Sequence, residues 1–223
     1  MRIALISVAP PFRGGISKHT SILLEKLSQK HYIDVINYKR QYPNFLFPGK
    51  SQFIKDESVV NLGNRYIDSI NPITWINTAN IIKKEQYDLV IFRCWNPFLC
   101  ISSGFIAYFL RKKEPSMKLI SLIDNIKPHE NFYLGSFFMN FFLKMMHGHL
   151  VQSSQTETEL SEICRNPIYE KRFHPLYDNF SKKINRKDAL NKLGVNSKFI
   201  ILFFGIIREY KGLDVLIKSA FFL

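Results

Sequence analysis

Residues 2–20, RIALISVAPPFRGGISKHT, decide the fold class of this chain. A short apolar run at residues 3–8 leads through two prolines and the Gly14–Gly15 pair into an amphipathic segment at residues 17–29. The run predicts a buried strand, and the spacing of apolar residues in the second segment predicts a helix. A strand that turns through glycines into a helix is the opening unit of a doubly wound α/β fold.

The Gly14–Gly15 loop is a candidate ligand site. Glycines allow the backbone to approach a ligand closely, and the helix that follows presents N–H groups to an anion. The loop has neither the GK[ST] signature of a P-loop nor the GxGxxG pattern, so a purely structural turn is an equal alternative on these residues alone. Its position at the carboxyl end of a predicted parallel strand favours ligand binding.

Short apolar runs alternate with amphipathic stretches along the rest of the chain, which predicts parallel strands joined by helical crossovers. Further strands are predicted at residues 31–38, 88–93, 118–124, 149–152 and 199–205. Helices are predicted at residues 71–85, 97–113, 132–146, 156–164, 186–193 and from residue 213 onward. Residues 41–72 hold most of the turn formers and are expected to be irregular. The expected fold is an α/β, Rossmann-like parallel sheet with helices on both faces.

The character of the sequence changes near residue 180. Residues 1–180 are expected to form an N-terminal domain. Residues 181–223 are expected to be a linker and the first strand–helix unit of a second Rossmann-like domain, truncated in this chain. Two elements cannot bury a core of their own.

Length and composition bound the possible functions. The chain has 223 residues, of which 46% are apolar and 22% charged, so it is not a mainly disordered, collagenous or disulfide-scaffold protein. Its formal net charge of +13 predicts attraction to nucleic acid, acidic lipid or a phosphorylated small molecule, although a merely solubilising surface would carry the same charge. Three scattered cysteines fit a reducing compartment better than a disulfide framework or a zinc knuckle. His147 and His149 lack a third ligand at metal spacing, so no metal site is expected.

The sequence predicts neither a signal peptide nor a membrane-spanning helix. The N-terminal apolar run is too short for a signal peptide. Residues 97–110 and 132–146 are shorter than the roughly 20 apolar residues that a span requires. The second of these segments is rich in Phe and can either pack in the core or lie on an anionic bilayer surface. We therefore expect a cytoplasmic protein, with peripheral association at the inner face of the cell membrane as an open alternative.

Two later motifs also follow predicted strands. DNIKPHE, residues 124–130, places His129 beside a carboxylate, which can orient a sugar hydroxyl or transfer a proton, or can simply form a polar turn. FGIIREYKG, residues 204–212, places Arg208 and Lys211 before a predicted helix. Two cations beside a helix N-terminus suit a diphosphate, although a solvated basic loop would have the same sequence.

In this order the three motifs resemble the GT-B glycosyltransferases of family four, retaining enzymes that transfer a sugar from a nucleotide-sugar donor. PPFRGGISKHT is similar to the Gly-Gly loop of their N-terminal domain, and LIDNIKPHE is similar to the strand and loop that carry their interdomain histidine. HPLYDNF followed by ILFFGIIREYKGLDVLIKSA resembles a bacterial subgroup in which this stretch opens the donor-binding domain. The resemblance covers essentially the whole chain.

The resemblance implies a role for each matched residue. Gly14 and Gly15 would approach the donor phosphates or the acceptor, and His129, the expected catalytic residue, would face the donor sugar. Arg208 and Lys211 would neutralise the diphosphate leaving group, which in this class replaces a metal, so no cofactor is expected. The implied partners are a nucleotide-sugar donor and a sugar or lipid-linked acceptor in bacterial envelope or capsule polysaccharide synthesis. Nucleic acid is not an expected partner, because no nucleic-acid-binding signature is present.

The chain departs from the family's pattern in two places. Ile206 stands where many relatives have an arginine directly after the strand-ending glycine, and Arg208 lies two residues further on. The chain also ends at Leu223, before the paired glutamates that hold the donor's sugar and ribose in the family. We therefore expect little or no transferase activity from this chain alone. The alternative is a non-catalytic domain that binds a membrane surface or a partner chain.

Overall fold

The structure is a computed structural model that describes residues 1–43, 51–54, 60–127, 134–175, 177, 182–205, 207 and 211–222. The chain forms two compact units, Met1–His174 and Pro175–Leu223. Among the described residues, no helix combines the length and the apolar character needed to cross a bilayer.

The first unit is built around one seven-stranded sheet in which every pairing is parallel. The strands are β1 (Arg2–Ile6), β2 (Tyr32–Arg40), β3 (Asn64–Asp68), β4 (Leu89–Cys94), β5 (Lys118–Ile123), β6 (Gly148–Val151) and β7 (Tyr169–Lys171). Their order across the sheet is β3-β2-β1-β4-β5-β6-β7. This arrangement confirms the α/β, Rossmann-like parallel sheet that the sequence predicted.

Helices lie on both faces of this sheet. The helices described in the first unit are α1 (Gly15–Leu27), α2 (Pro72–Lys84), α3 (Leu99–Lys113), α4 (Gly135–Lys144) and α5 (Ser154–Ile163). α1 packs on one face through Leu23 and Leu24. α2, α3 and α4 cover the other face through buried side chains such as Trp75, Ile106 and Phe142. Each face of the sheet therefore has its own apolar core.

The helices of the first unit begin in different ways. Asn71 caps α2, because its side-chain oxygen accepts a hydrogen bond from the Ile73 N–H at 3.1 Å. Ser153 caps α5 in the same way by accepting from the Thr156 N–H at 3.1 Å. α1 instead follows Gly14, which has no side chain to cap the first turn. An anion outside the helix can therefore bind the first-turn N–H groups of α1.

β3 corrects the expectation that residues 41–72 are irregular throughout. The strand pairs with β2, so that Ile36 lies opposite Asn64 and Arg40 lies opposite Asp68. β3 is an edge strand with the sequence NRYID, and it offers too few apolar residues to produce a strand pattern in the sequence.

The second unit, as far as it is described, contains α6 (Arg186–Leu193), α7 (Leu213–Ser219) and a 3-10 turn at Ala220–Phe222. α6 ends at Gly194, which has a left-handed φ of 65°, as the sequence predicted. The predicted strand at residues 199–205 is wrong, because no other strand pairs with these residues within the described part of the chain. The apolar run is exposed instead, with Phe204 at 90%.

Candidate functional site

The candidate site lies at the carboxyl edge of the sheet, where the strand order reverses. β1 pairs with both β2 and β4. The chain leaves β1 toward α1 on one face of the sheet, and it leaves β4 toward α3 on the other face. Loops that diverge in this way leave a crevice between the carboxyl ends of the two strands, and ligands of open α/β sheets bind in that crevice.

Gly14 and Gly15 form the turn from β1 into α1 beside this crevice. Gly14 has a φ of 116°, a conformation that residues with a side chain rarely adopt. A Cβ added at either glycine would meet no atom within 4 Å. Steric crowding therefore does not explain why positions 14 and 15 are glycines. The space beside the first-turn N–H groups of α1 is open.

A buried ion pair joins the carboxyl ends of β4 and β5. Arg93 donates through Nε and Nη2 to the two carboxylate oxygens of Asp124, each at 2.7 Å. The two side chains are only 1% and 11% exposed. Gln152, directly after β6, donates to the same carboxylate at 2.9 Å. These charge-assisted hydrogen bonds offset much of the free-energy penalty of burying the carboxylate.

His19 of α1 completes this cluster. Its Nδ1 lies 2.6 Å from Arg93 Nη2, and because a guanidinium group can only donate, Nδ1 accepts and the ring proton is on Nε2. Burial, followed by the neighbouring Arg93 and His174, lowers the pKa of His19 to about 4. His19 is therefore neutral at neutral pH. The His174 ring, at the end of the first unit, lies 4.3 Å from the His19 ring between centroids.

We call His19, Arg93, Asp124 and Gln152 the positioning frame. Besides its bonds to His19 and Asp124, Arg93 donates through Nη1 to the Ile16 carbonyl at 3.4 Å. The guanidinium is thus occupied by partners from its own chain, and it ties the start of α1 to β4 and β5. The frame can hold the Gly14–Gly15 turn rigidly against the sheet, which is what preorganised binding of a ligand at that turn requires.

Acid is expected to destabilise the first unit through its neutral histidines. Burial lowers the pKa of His149 to about 4. The pKa of His19 is lowered to the same value, first by burial and then by the neighbouring Arg93. In the unfolded chain both rings titrate near about 6.5, so between about pH 7 and pH 5 the unfolded state binds more protons and the free energy of unfolding falls. Each histidine is expected to contribute a loss of about 2 kcal/mol over this range.

Urea unfolding at the two pH values, with His19→Gln as the variant, measures this loss. The glutamine oxygen can still accept from Arg93. The variant should therefore lose about 2 kcal/mol less than the unaltered chain on acidification. Equal losses in the two proteins would show that His19 is not held neutral by the fold.

The structure brings together only some of the residues that the sequence analysis implicated. Gly14 and Gly15 lie at the reversal of strand order, next to the positioning frame. Lys211 belongs to the second unit and lies exposed shortly before α7. His129 and Arg208 lie outside the described residues.

The sequence did not predict Arg93, His19 and Gln152 as residues of the site. The sequence did contain a signal for Arg93. This residue lies near the end of one apolar strand, and Asp124 directly follows the apolar strand that comes next in the chain. The parallel register places Arg93 opposite Leu122, two residues before Asp124. Opposite charges at the adjoining ends of two parallel strands predict an ion pair. His19 and Gln152 gave no such signal, since most polar residues at helix or strand ends are solvated.

The side chains of His147 and His149 make polar contacts with residues of β5. His147 Nδ1 accepts a hydrogen bond from the Leu119 N–H at 3.0 Å, and His149 Nδ1 lies 2.8 Å from Ser121 Oγ. In the part of the chain that the structure describes, no three or more His, Cys, Asp and Glu side chains converge as metal ligands.

A separate groove of about 580 Å³ lies at the opposite, amino edge of the sheet. Lys83, Tyr87, Asp88 and Glu114 contribute to its lining. Lys83 pairs with Glu114 at 3.1 Å, so these two charges are already matched within the chain. The groove is remote from the strand-order reversal and contains none of the residues of the positioning frame.

Comparison with known proteins finds likenesses among solved structures. No family model and no curated protein matches the chain. An alpha-glucosyltransferase in complex with UDP and a 13-mer DNA containing a central A:G mismatch is 9% identical with a TM-score of 0.46, over 77% of this chain and 40% of that one. A sucrose-phosphate synthase from Thermosynechococcus elongatus is 16% identical with a TM-score of 0.47, over 87% of this chain and 96% of that one.

A further alpha-glucosyltransferase structure, in complex with UDP, is 10% identical with a TM-score of 0.47, over 83% of this chain and 42% of that one. The chain thus spans less than half the length of both glucosyltransferase chains.

Proposed function

We propose that this chain is related to the retaining GT-B glycosyltransferases of family four, and that its part in sugar transfer is to bind the nucleotide-sugar donor, with little transfer activity of its own. The sugar would pass from that donor to a polysaccharide or lipid-linked acceptor of the bacterial envelope or capsule. The observation that carries the proposal is the open Gly14–Gly15 turn at the strand-order reversal, held in place by the positioning frame. The order of the three sequence motifs supports the same assignment.

The geometry of the turn suits a diphosphate. The N-terminus of α1 carries a partial positive charge, and Gly14 leaves its first turn without a side-chain cap. Because neither glycine has a Cβ, the phosphate oxygens of a donor can approach the backbone N–H groups directly. Arg93 fixes the first turn through the Ile16 carbonyl, so these donors need little rearrangement when the ligand binds.

The remaining roles follow the family resemblance. His129 would face the donor sugar, and Arg208 and Lys211 would neutralise the diphosphate as it leaves. The net charge of +13 favours an anionic donor and an anionic lipid-linked acceptor. No metal is required for this chemistry, since two cations and a helix N-terminus can stabilise the leaving group.

Calorimetric titration with a panel of nucleoside diphosphate sugars tests the proposal. At least one of these ligands should bind, and the matching free nucleoside and free sugar should bind far more weakly because they lack the diphosphate. The affinity should fall as salt is added, since the interaction is partly electrostatic. If no diphosphate sugar binds better than its nucleoside, the proposed function is wrong.

A second candidate function, docking on an anionic membrane, is favoured by the outer surface of α2, α3 and α4. Large apolar side chains stand exposed there, with Ile73 and Phe137 each at 67%. We call this surface the outer helical face; its apolar residues are Ile73, Ile76, Phe105, Tyr108, Leu134 and Phe137. Apolar side chains of this size can insert into the headgroup region of a bilayer.

Charge on the same three helices matches an anionic surface. None of the three contains Asp or Glu. Besides Lys83, which is paired with Glu114, their last turns carry the cations Lys84, Arg111, Lys112, Lys113 and Lys144. Cations near an anionic bilayer each contribute about 1 kcal/mol to binding. Such docking would also bring the chain to a lipid-linked acceptor.

Replacing Lys84 and Lys112 together with glutamine tests this membrane surface. Binding to phosphatidylglycerol vesicles at low salt should weaken about 30-fold, because two cations near the surface contribute about 2 kcal/mol. Vesicle co-sedimentation measures the loss. The matched control replaces the exposed Lys18 and Lys26 of α1, on the other face of the sheet, and should bind as the unaltered chain does. Equal weakening in both variants would mean that only total charge matters.

A further inference from the structure

Three sulfur atoms meet in the core beside the carboxyl end of β4. Cys94 Sγ, at the end of β4, lies 3.1 Å from Cys100 Sγ in the first turn of α3. Met139 Sδ of α4 lies 3.7 Å from Cys94 Sγ and 3.8 Å from Cys100 Sγ. All three residues are nearly fully buried, at 2%, 2% and 1% exposure. No pattern in the sequence predicts this triangle, because its members come from three separate elements.

The triangle has nearly the size that a bound metal ion requires. A first-row ion lies about 2.3 Å from each sulfur ligand, which places the sulfurs about 3.8–4.0 Å apart in tetrahedral or trigonal geometry. The two distances to Met139 fall at or just below this range. Only the Cys94–Cys100 separation is short, and it needs to open by about 0.7 Å, which rotation of one thiol side chain can supply.

The three sulfur atoms determine which metal ion the triangle would bind. Two cysteine sulfurs and a thioether form a soft donor set, and soft sulfur ligands favour monovalent copper. Divalent ions that prefer nitrogen or oxygen find no further ligand here, since no group of three or more His, Cys, Asp and Glu side chains converges in the described residues.

The alternative to a metal site is a disulfide bond between Cys94 and Cys100. Both thiols are free and each residue is only 2% exposed, so an oxidant reaches them slowly. A disulfide would also leave Met139 without a role in the cluster. A soft ion uses all three sulfurs and displaces the thiol protons as its bonds to sulfur form.

We propose that Cys94, Cys100 and Met139 form a binding site for a monovalent copper ion. Each cysteine that binds loses its proton to solvent, and no electron is transferred. The site adjoins the positioning frame, because Cys94 follows Arg93 directly and its carbonyl accepts the Asp124 N–H at 2.8 Å. Bound copper would therefore stiffen the end of β4. The proposal is independent of sugar transfer.

Copper loading under anaerobic, reducing conditions tests the site. The chain is loaded in two ways, by incubation of the folded protein with cuprous ion and by refolding from urea in its presence. Retained copper is then measured by elemental analysis and by competition with a chromophoric cuprous chelator. The variants are Cys94→Ser, Cys100→Ser and Met139→Leu, with Cys164→Ser as the control, and circular dichroism checks that each is folded.

A single equivalent of copper is expected in the unaltered chain and in Cys164→Ser. Each serine variant should lose this equivalent. Met139→Leu conserves volume and should fold, but should bind about tenfold more weakly, which corresponds to about 1.4 kcal/mol. The proposal is overturned if neither loading route gives more copper than the serine variants retain, if Met139→Leu binds as tightly as the unaltered chain, or if the mass shows that the two thiols have formed a disulfide.

Discussion

Replacing Asp124 with alanine is expected to lower the free energy of unfolding by about 3–5 kcal/mol, because it leaves a buried guanidinium without its counter-charge. Arg93 is 1% exposed and directs two of its donors at the lost carboxylate. A loss of this size is a large fraction of the stability of a typical domain, which is about 5–15 kcal/mol.

Two further variants show whether burial causes this loss. Glu162→Gln removes the partner of Lys127 in an exposed pair with 2.8 Å between the charged atoms, and it should cost less than about 1 kcal/mol. The double variant Arg93→Met, Asp124→Leu replaces both buried charges with apolar groups and should recover most of the stability. Urea unfolding followed by tryptophan fluorescence measures all three. A loss below about 1 kcal/mol in Asp124→Ala would mean that the ion pair is solvated in solution.

Replacing Gly15 with valine is expected to weaken nucleotide-sugar binding at least about tenfold while leaving the fold intact. A Cβ at this position meets no atom of the chain within 4 Å, so a valine side chain here is expected to enter the space that the diphosphate would occupy. The backbone of Gly15 is ordinary, and valine is no worse than glycine in a helix. The free energy of unfolding should therefore change by less than about 0.5 kcal/mol.

The variant Gly14→Ala is expected to affect stability, in contrast to Gly15→Val. Because Gly14 has a φ of 116°, alanine there should cost about 1–3 kcal/mol of stability. Calorimetric titration and urea unfolding of both variants separate blocked binding from a damaged fold. If Gly15→Val is as stable as the unaltered chain and binds the same ligands equally well, the ligand does not contact this turn.

The sequence was sufficient to predict the core of the fold. The strand predicted at residues 88–93 has an unbroken apolar run at residues 89–92, and the strand predicted at residues 118–124 is apolar at residues 119–123 except for Ser121. Such runs are typical of a parallel sheet buried on both faces. β3 could not be predicted, because an edge strand buries little and leaves no apolar pattern. Residues 199–205 were predicted to be a strand because they have the apolar composition of a buried one. A strand also needs a neighbouring strand with which to pair, and composition alone contains no information on that neighbour.

The site was predictable only in part. Gly14 and Gly15 were found because a glycine turn after a first strand has a recognisable local pattern. Arg93 and Asp124 depend on which strands are neighbours, and strand order is a property of the fold as a whole. The sulfur triangle depends in addition on how two helices pack against β4, so residue spacing along the chain contains no signal for it.

The carboxyl edge between β1 and β4 is the nucleotide-sugar site that we propose. The most direct test is a titration of the isotope-labelled chain with nucleoside diphosphate sugars, followed by amide nuclear magnetic resonance shifts. The largest shifts should occur at residues 14–17, with smaller ones at Trp95 and Asn96 after β4, and Gly15→Val should need at least about ten times more ligand to produce them. Shifts confined to the outer helical face or to the amino-edge groove, or no shifts at high ligand concentration, would show that this edge is not the nucleotide-sugar site.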